Sequence, residues 1–487
     1  MSDKSLEQKT LKGIGWSTIS QLGKSGLNIV ITLILVRLLA PEDFGLMAMV
    51  TVFTGFSTIL VNFGFGLALI QKKEVTDVDL SSVFWLNTVL GFGIAIVISL
   101  LSPLIAQFYE IPRLIPLTIF VSVNYIFISM SIVQRTVLKK GLIFKRLAII
   151  ELLAVIVSGL VGIACALNGM GVWSLAIQIV CLSFITLCLL WFYTNWKPSF
   201  VYSHDSIRSL LKLSASIFGN SSLNYATNNF DNLLIGKLFG QGLLGIYSRS
   251  MMIILMPRVI ISSVITRVIF PSFSIIQDNL EKIRQIYLKM FRFVAFLSFP
   301  LMLIISVGAE PFVLSVFGEN WSEAIPFVRI FALVGMMRSL NSLVGTIFYA
   351  KSRSDLIWKV GFMKKGTIIA SILIGLFWGV QGIVVGRLIA EFINLLLSFY
   401  YGGEVLSLSV NKQIRNLMPV MINSFVMASI LVGLNFLMIQ GGIENPFIQL
   451  GLFGIVGALV YLSLSYLSKS GELKQTFVLL KKLGLEL

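Results

Sequence analysis

Apolar runs of about 20 residues, each long enough to cross a hydrocarbon core as a helix, recur from one end of this chain to the other. Short clusters of Gly, Pro, Asn and charged residues separate them. Dividing the runs at that punctuation predicts fourteen spans, near 12–39, 44–69, 82–108, 114–138, 146–168, 171–193, 210–238, 243–270, 288–317, 324–350, 358–378, 381–402, 416–439 and 447–468. The expected fold class is an all-α integral membrane protein.

The basic residues test that count, because cytoplasmic connections carry an excess of Lys and Arg. Every second connection is basic: Lys72 and Lys73, then Lys139, Lys140, Lys145 and Arg146, then Lys197, Arg208 and Lys212, then Lys282, Arg284 and Lys289. The pattern continues through Lys351, Arg353 and Lys359, through Lys412 and Arg415, and into the tail at Lys469, Lys474, Lys481 and Lys482. The alternate connections, such as Pro41-Glu42-Asp43 and Gly318-Glu319-Asn320, are short and contain almost no cation besides Arg113. Both termini are therefore expected on the cytoplasmic side. The polar stretch before the first span has no small-residue cleavage site, so that span is expected to be retained.

Composition narrows the picture further. With 56% hydrophobic and 12% charged residues among 487, and a mean hydropathy of +0.92, the chain falls outside the range of soluble domains. Its net charge of +16 lies between apolar runs rather than on one soluble face, which argues against a nucleic-acid partner. Cys165, Cys181 and Cys188 all lie inside apolar runs and His204 is the single histidine, so neither a disulfide framework nor a metal site is expected. Trp16, Trp85, Trp173, Trp191, Trp196 and Trp321 fall near span ends, where they read as interfacial anchors.

The chain also repeats itself. Arg37-Leu38-Leu39-Ala40-Pro41-Glu42-Asp43-Phe44-Gly45 has a counterpart in Lys237-Leu238-Phe239-Gly240-Gln241-Gly242-Leu243-Leu244-Gly245, and Gly169-Met170-Gly171-Val172 resembles Val380-Gln381-Gly382-Ile383. Six helices per half, each half starting in the cytoplasm, imply parallel repeats about an axis along the membrane normal with a cavity between them. The expected organisation is a six-helix bundle over 1–195, a cytoplasmic linker over 196–209, a second six-helix bundle over 210–405, two further helices over 416–468 and a basic tail over 469–487.

Leu11-Lys12-Gly13-Ile14-Gly15-Trp16, Leu35 to Gly45, Asn62-Phe63-Gly64-Phe65-Gly66, Gln134-Arg135 and Asp231-Asn232 together resemble bacterial polysaccharide transporters. The similarity is to the Wzx-type, colanic-acid and teichuronic-acid branch of the multidrug/oligosaccharidyl-lipid/polysaccharide (MOP) superfamily. That resemblance implies a flippase, not an enzyme, moving an undecaprenyl-diphosphate-linked oligosaccharide across the bacterial cytoplasmic membrane by alternating access. It further implies a monomer working beside glycosyltransferases and a glycan polymerase, with no cofactor and with coupling to H+ or Na+ left open.

Charges inside the spans supply the candidate residues, since a charge at mid-bilayer costs about 2.5 kcal/mol or more and usually faces water or a partner. Lys24, Arg249, Arg258 and Arg338 are candidates for gripping a diphosphate; the first three lie on helices that line the cavity in the family resembled. Snorkelling or pairing with carboxylates is the competing reading. Asp231, with Asn228 one turn away and Asn224, Asn229 and Asn232 around it, and Glu391 are candidates for ion coupling; for Glu391, one turn from Arg387, an internal ion pair that holds the helix is the competing and favoured reading. Two other functions remain: an ion-coupled exporter of organic cations, which calls for an acidic cavity, and a polysaccharide polymerase or ligase, which calls for a sizeable outer loop.

Overall fold

The computed structural model describes residues 3–255, 280–351 and 353–468, and all regular structure among them is helical. Eleven segments are long and apolar enough to cross a membrane; one of them, Asp355–Leu406, contains two helices. A further helix, His204–Met251, folds back on itself at Gly240, where φ is 83°. It carries the expected seventh span and the start of the eighth, whose remainder lies outside the described residues, as does the tail. The all-α membrane fold expected from the apolar runs is the one observed.

The chain forms two compact units, Met1–Ser248 and Arg249–Leu487. In the first, α1 (Asp3–Leu38) packs along α8 (Phe144–Leu167), and α8 along α9 (Val172–Tyr193). Two of the expected spans are broken. The second divides into α2 (Pro41–Asn62) and α3 (Phe65–Gln71), because Phe63 and Gly64 are left-handed, with φ of 31° and 81°. Ile217 and the Ser214 carbonyl crowd the position a Gly64 Cβ would occupy, at 3.0 and 3.1 Å, so sterics as well as φ favour glycine there. After α4 (Asp77–Tyr109), the fourth span divides into α5 (Leu114–Ser122), α6 (Asn124–Ser129) and α7 (Ile132–Lys140). His204–Met251 is α10.

The repeated turns take part in packing. A Cβ on Gly45 would lie 1.7 Å from the Gln241 carbonyl oxygen, and one on Gly245 would lie 1.8 Å from the Pro41 carbonyl oxygen. Positions 41 and 45 thus meet 241 and 245 reciprocally, as a local twofold requires, and no side chain fits between the backbones. The second proposed match shifts register. Gly171, just before α9, and Gly379, the first residue of the helix Gly379–Leu406, share a positive φ, 54° and 70°. Gly382 lies instead inside that helix, pressed against the Gly375 carbonyl.

The second unit contains α11 (Leu280–Val307), α12 (Ile325–Ala350), α13 (Ser354–Gly375), α14 (Gly379–Leu406), α15 (Val410–Gln440) and α16 (Pro446–Leu467). The apolar window of α11 is 67% buried and that of α16 only 17% buried. The last helix therefore presents most of its surface outward, where lipid takes the place of protein packing. Trp321, expected at an interface, is instead fully buried against Phe317.

Candidate anion-binding cavity

Helical spacing places the relevant side chains. Residues four apart share a helix face, so Ser20 and Lys24 project together from α1, and Arg135 and Lys139 project together from α7. Glu151 stands on α8, which packs against both. These helices and the broken α2–α3 segment, together with parts of α9 and α10, line a partly open cavity of about 570 Å³, with Lys24, Arg135, Lys139 and Glu151 among its lining residues. Asn62, Gly64 and Gly66 line it from the break after α2, and Ser131 and Ile132 from the break before α7. Both interrupted spans thus lie at the cavity wall.

Three cations and one carboxylate leave the lining with a positive surplus. Lys24 Nζ is 3.9 Å and Arg135 Nη1 3.6 Å from the Glu151 carboxylate, which also accepts the Ser20 hydroxyl at 3.3 Å. Charge-assisted hydrogen bonds normally close to about 2.7–2.9 Å, so these cations are held near the carboxylate without being consumed by it. At about 4 Å and an effective dielectric of about 20, each cation gains about 4 kcal/mol of gross Coulomb attraction toward an added negative charge. Thr58, Asn62, Ser183, Thr186 and Ser221 supply hydroxyl and amide groups, while Ile59, Leu67, Ile70 and Phe218 supply apolar wall. The arrangement suits an anionic headgroup with polar substituents.

Of the residues singled out in the sequence, Lys24 lies at this cavity; Arg249, Arg338, Asp231, Asn228 and Glu391 do not line it, and Arg258 lies outside the described residues. Arg249 is half-buried in the last turn of α10, and Arg338 half-buried on α12. Asp231 is fully buried and accepts the Tyr247 hydroxyl at 2.6 Å and the Asn232 amide at 3.0 Å, whereas Asn228 is exposed. The asparagine stripe is real: Asn232 reaches Asn229, which donates to the Tyr225 carbonyl.

Glu391 belongs to a second polar cluster that the sequence reading missed. Asn341 Nδ2 donates to Glu391 Oε1 at 2.6 Å, and Lys364 Nζ reaches the Ser398 hydroxyl at 2.6 Å and Asn341 Oδ1 at 3.4 Å. Thr367 donates to Asn394 Oδ1 at 2.7 Å, and Ser398 to the Asn394 carbonyl at 2.8 Å. Three helices, α12, α13 and α14, are tied together by these bonds. The signal that could have found it was Lys364-Lys365 inside an apolar span. Arg135 and Lys139 were likewise passed over, counted as topology signals or as part of a resemblance.

The polysaccharide biosynthesis protein family matches residues 34–326, more than half of the chain. The chain belongs to this family. Among its relatives are the lipopolysaccharide biosynthesis protein WzxC of Escherichia coli (strain K12), 30% identical over 88% of this chain and 89% of that protein. The teichuronic acid biosynthesis protein TuaB of Bacillus subtilis (strain 168) is 28% identical over 82% of this chain and 86% of that protein. The fold is similar to that of the lipid II flippase MurJ in an inward closed conformation, with a TM-score of 0.72 at 14% identity, covering 95% of this chain and 98% of that one. It also resembles an inward-facing MATE family transporter of the MOP superfamily, with a TM-score of 0.60 at 15% identity, covering 80% and 94%. The family membership read from Leu35 to Gly45 and the motifs beside it is thereby borne out.

Proposed function

We propose that this family member flips a polyprenyl-diphosphate-linked oligosaccharide from the inner to the outer leaflet of the bacterial cytoplasmic membrane, with both termini cytoplasmic. The observation that carries the reading is the cationic cavity formed by Lys24, Arg135 and Lys139 inside a membrane-spanning unit. Relatives named for lipopolysaccharide and teichuronic acid biosynthesis, and a MurJ-like fold, support it.

In this mechanism the diphosphate sits among the three cations, the hydroxyl and amide groups of the wall meet the sugars, and the polyprenyl tail stays in lipid. Transport proceeds by alternating access, and no covalent bond is made or broken. Coupling to an H+ or Na+ gradient belongs to the same reading, with Asp231 and Glu391 as the candidate acids, as do a monomeric state and action beside glycosyltransferases and a glycan polymerase. The surplus of positive charge disfavours an organic-cation exporter, whose substrate the cavity would repel.

The test is deletion of the gene in its native host, complemented by wild type or by Lys24→Ala and Arg135→Ala at matched expression. Lipid-linked oligosaccharide is then quantified on each side of the membrane. Inner-leaflet accumulation relieved by wild type but not by the variants is the expected result. Unchanged lipid-linked sugar in the deletion strain would sink the reading and favour drug export instead.

A further inference from the structure

Glu151 is the acidic side chain among the residues lining the cavity, and it stands between cations brought by two other helices. Lys24 reaches it from α1 at 3.9 Å and Arg135 from α7 at 3.6 Å, with Ser20 donating at 3.3 Å. Lys139 faces the same space. Of the other cations nearby, Lys140 turns to the carbonyls of Leu69 and Lys72, Lys145 lies over the Trp16 ring, and Arg146 follows it on α8. Helix α9, the remaining neighbour of α8, contains no charged residue.

Other ion pairs among the described residues are closer: Lys72–Asp79, Lys237–Glu110 and Arg353–Asp355 stand at 2.7 Å and Arg284–Glu281 at 3.0 Å. Both Glu151 pairs are distinctly looser, and both are at a cavity wide enough for a ligand. A carboxylate held in that way shields two cations from each other while leaving their donor groups available.

We propose that Glu151 is a tethered competitor for the substrate's phosphate: it shares the cations until a more highly charged anion displaces it. The proposal rests on the cavity being the diphosphate site. It has two consequences. A diphosphate diester with two negative charges displaces one carboxylate, while a singly charged headgroup does not, so Glu151 sets selectivity by charge. Its return to the cations then drives release, keeping affinity low enough for turnover, as any transport site requires.

The test uses the full chain in lipid nanodiscs, with calorimetric titration of two probes at fixed pH and salt: uridine diphosphate glucose and the singly charged methyl ester of uridine monophosphate. Glu151→Gln is expected to bind the diphosphate probe about tenfold tighter, equivalent to about 1.4 kcal/mol. The same variant is expected to bind the monoanion measurably, while flipping in cells slows. Glu151→Asp, whose shorter arm keeps the charge and guards against a folding failure, should tighten binding by less. A carboxylate that merely holds the helices together predicts the opposite sign, so equal or weaker binding by folded Glu151→Gln and Glu151→Asp overturns the proposal. Loss of binding in Lys24→Ala and Arg135→Ala alongside that result leaves the cavity reading standing; wild-type binding in those two variants overturns both.

Discussion

Lys24, Arg135 and Glu151 in the first unit and Lys364, Asn341 and Glu391 in the second are both clusters of charge within apolar helices, yet they are built differently. In the first, opposite charges stand 3.6–3.9 Å apart beside an open volume. In the second, contacts of 2.6–2.8 Å link three helices through Asn341, Ser398 and Asn394, and the acid and two of these three residues are buried. A buried group satisfied at short range resists displacement, because losing a partner exposes the full cost of desolvation. A loosely paired group at a cavity wall can exchange partners at little cost. On the proposed function, the difference separates a cluster suited to recognition from one suited to cohesion, although both read as intramembrane charge in the sequence.

Breaking the second cluster should have the largest effect. Glu391→Ala removes the acceptor of Asn341 and leaves buried charge uncompensated, which costs about 3–5 kcal/mol of stability; thermal unfolding in detergent measures it, and binding of uridine diphosphate glucose per folded molecule should persist. Removing Lys24 and Arg135 together should do the reverse. Each charge-assisted phosphate contact is worth about 1.5–3 kcal/mol, so flipping should fall about a hundredfold or more while the thermal midpoint moves little. Lys364→Met, which deletes the donor to Ser398, should lower stability by about 1–3 kcal/mol without affecting the probe. If it abolished probe binding instead, the two clusters would not be distinct.

The smallest effect is expected at an exposed pair. Lys237 beside Glu110 holds that carboxyl below the usual carboxylate range, through a 2.7 Å hydrogen bond and its charge. A depressed carboxylate contributes stability above its unfolded pKa and loses it as pH falls through the folded value. Wild type and Glu110→Gln should therefore differ slightly at neutral pH and converge in thermal midpoint only below about pH 4.

The spans were legible because apolar length alone demands a membrane, and the first repeated turn was legible because its glycines keep register over the two copies. The breaks at Phe63-Gly64 and before Ile132 were not, since no proline marks them and Gly64 reads equally well as a packing residue. Lys24 stood out as a lone cation deep in an apolar run. Arg135 and Lys139 did not, because they adjoin the basic connection at Lys140 and Lys145, where the positive-inside pattern already accounts for them. Glu151 lay close to that same end of its helix, and only folding shows it reaching Lys24 from a helix more than a hundred residues earlier. Trp321 misled for a related reason: nearness to a span end says nothing of whether neighbouring helices cover the ring.

The reciprocal seat of Gly45 on Gln241 and of Gly245 on Pro41 also has a consequence for inheritance. A side chain of any kind at either position collides with backbone, so both codons admit only synonymous change. Gly433, with nothing within 4 Å of its would-be Cβ, is free of that restriction. A saturation library of this gene, sorted for folded protein, should therefore show two intolerant positions two hundred codons apart. As matching turns of the repeat expected from the sequence, they would stay legible through steric exclusion however far the rest of the two halves diverges.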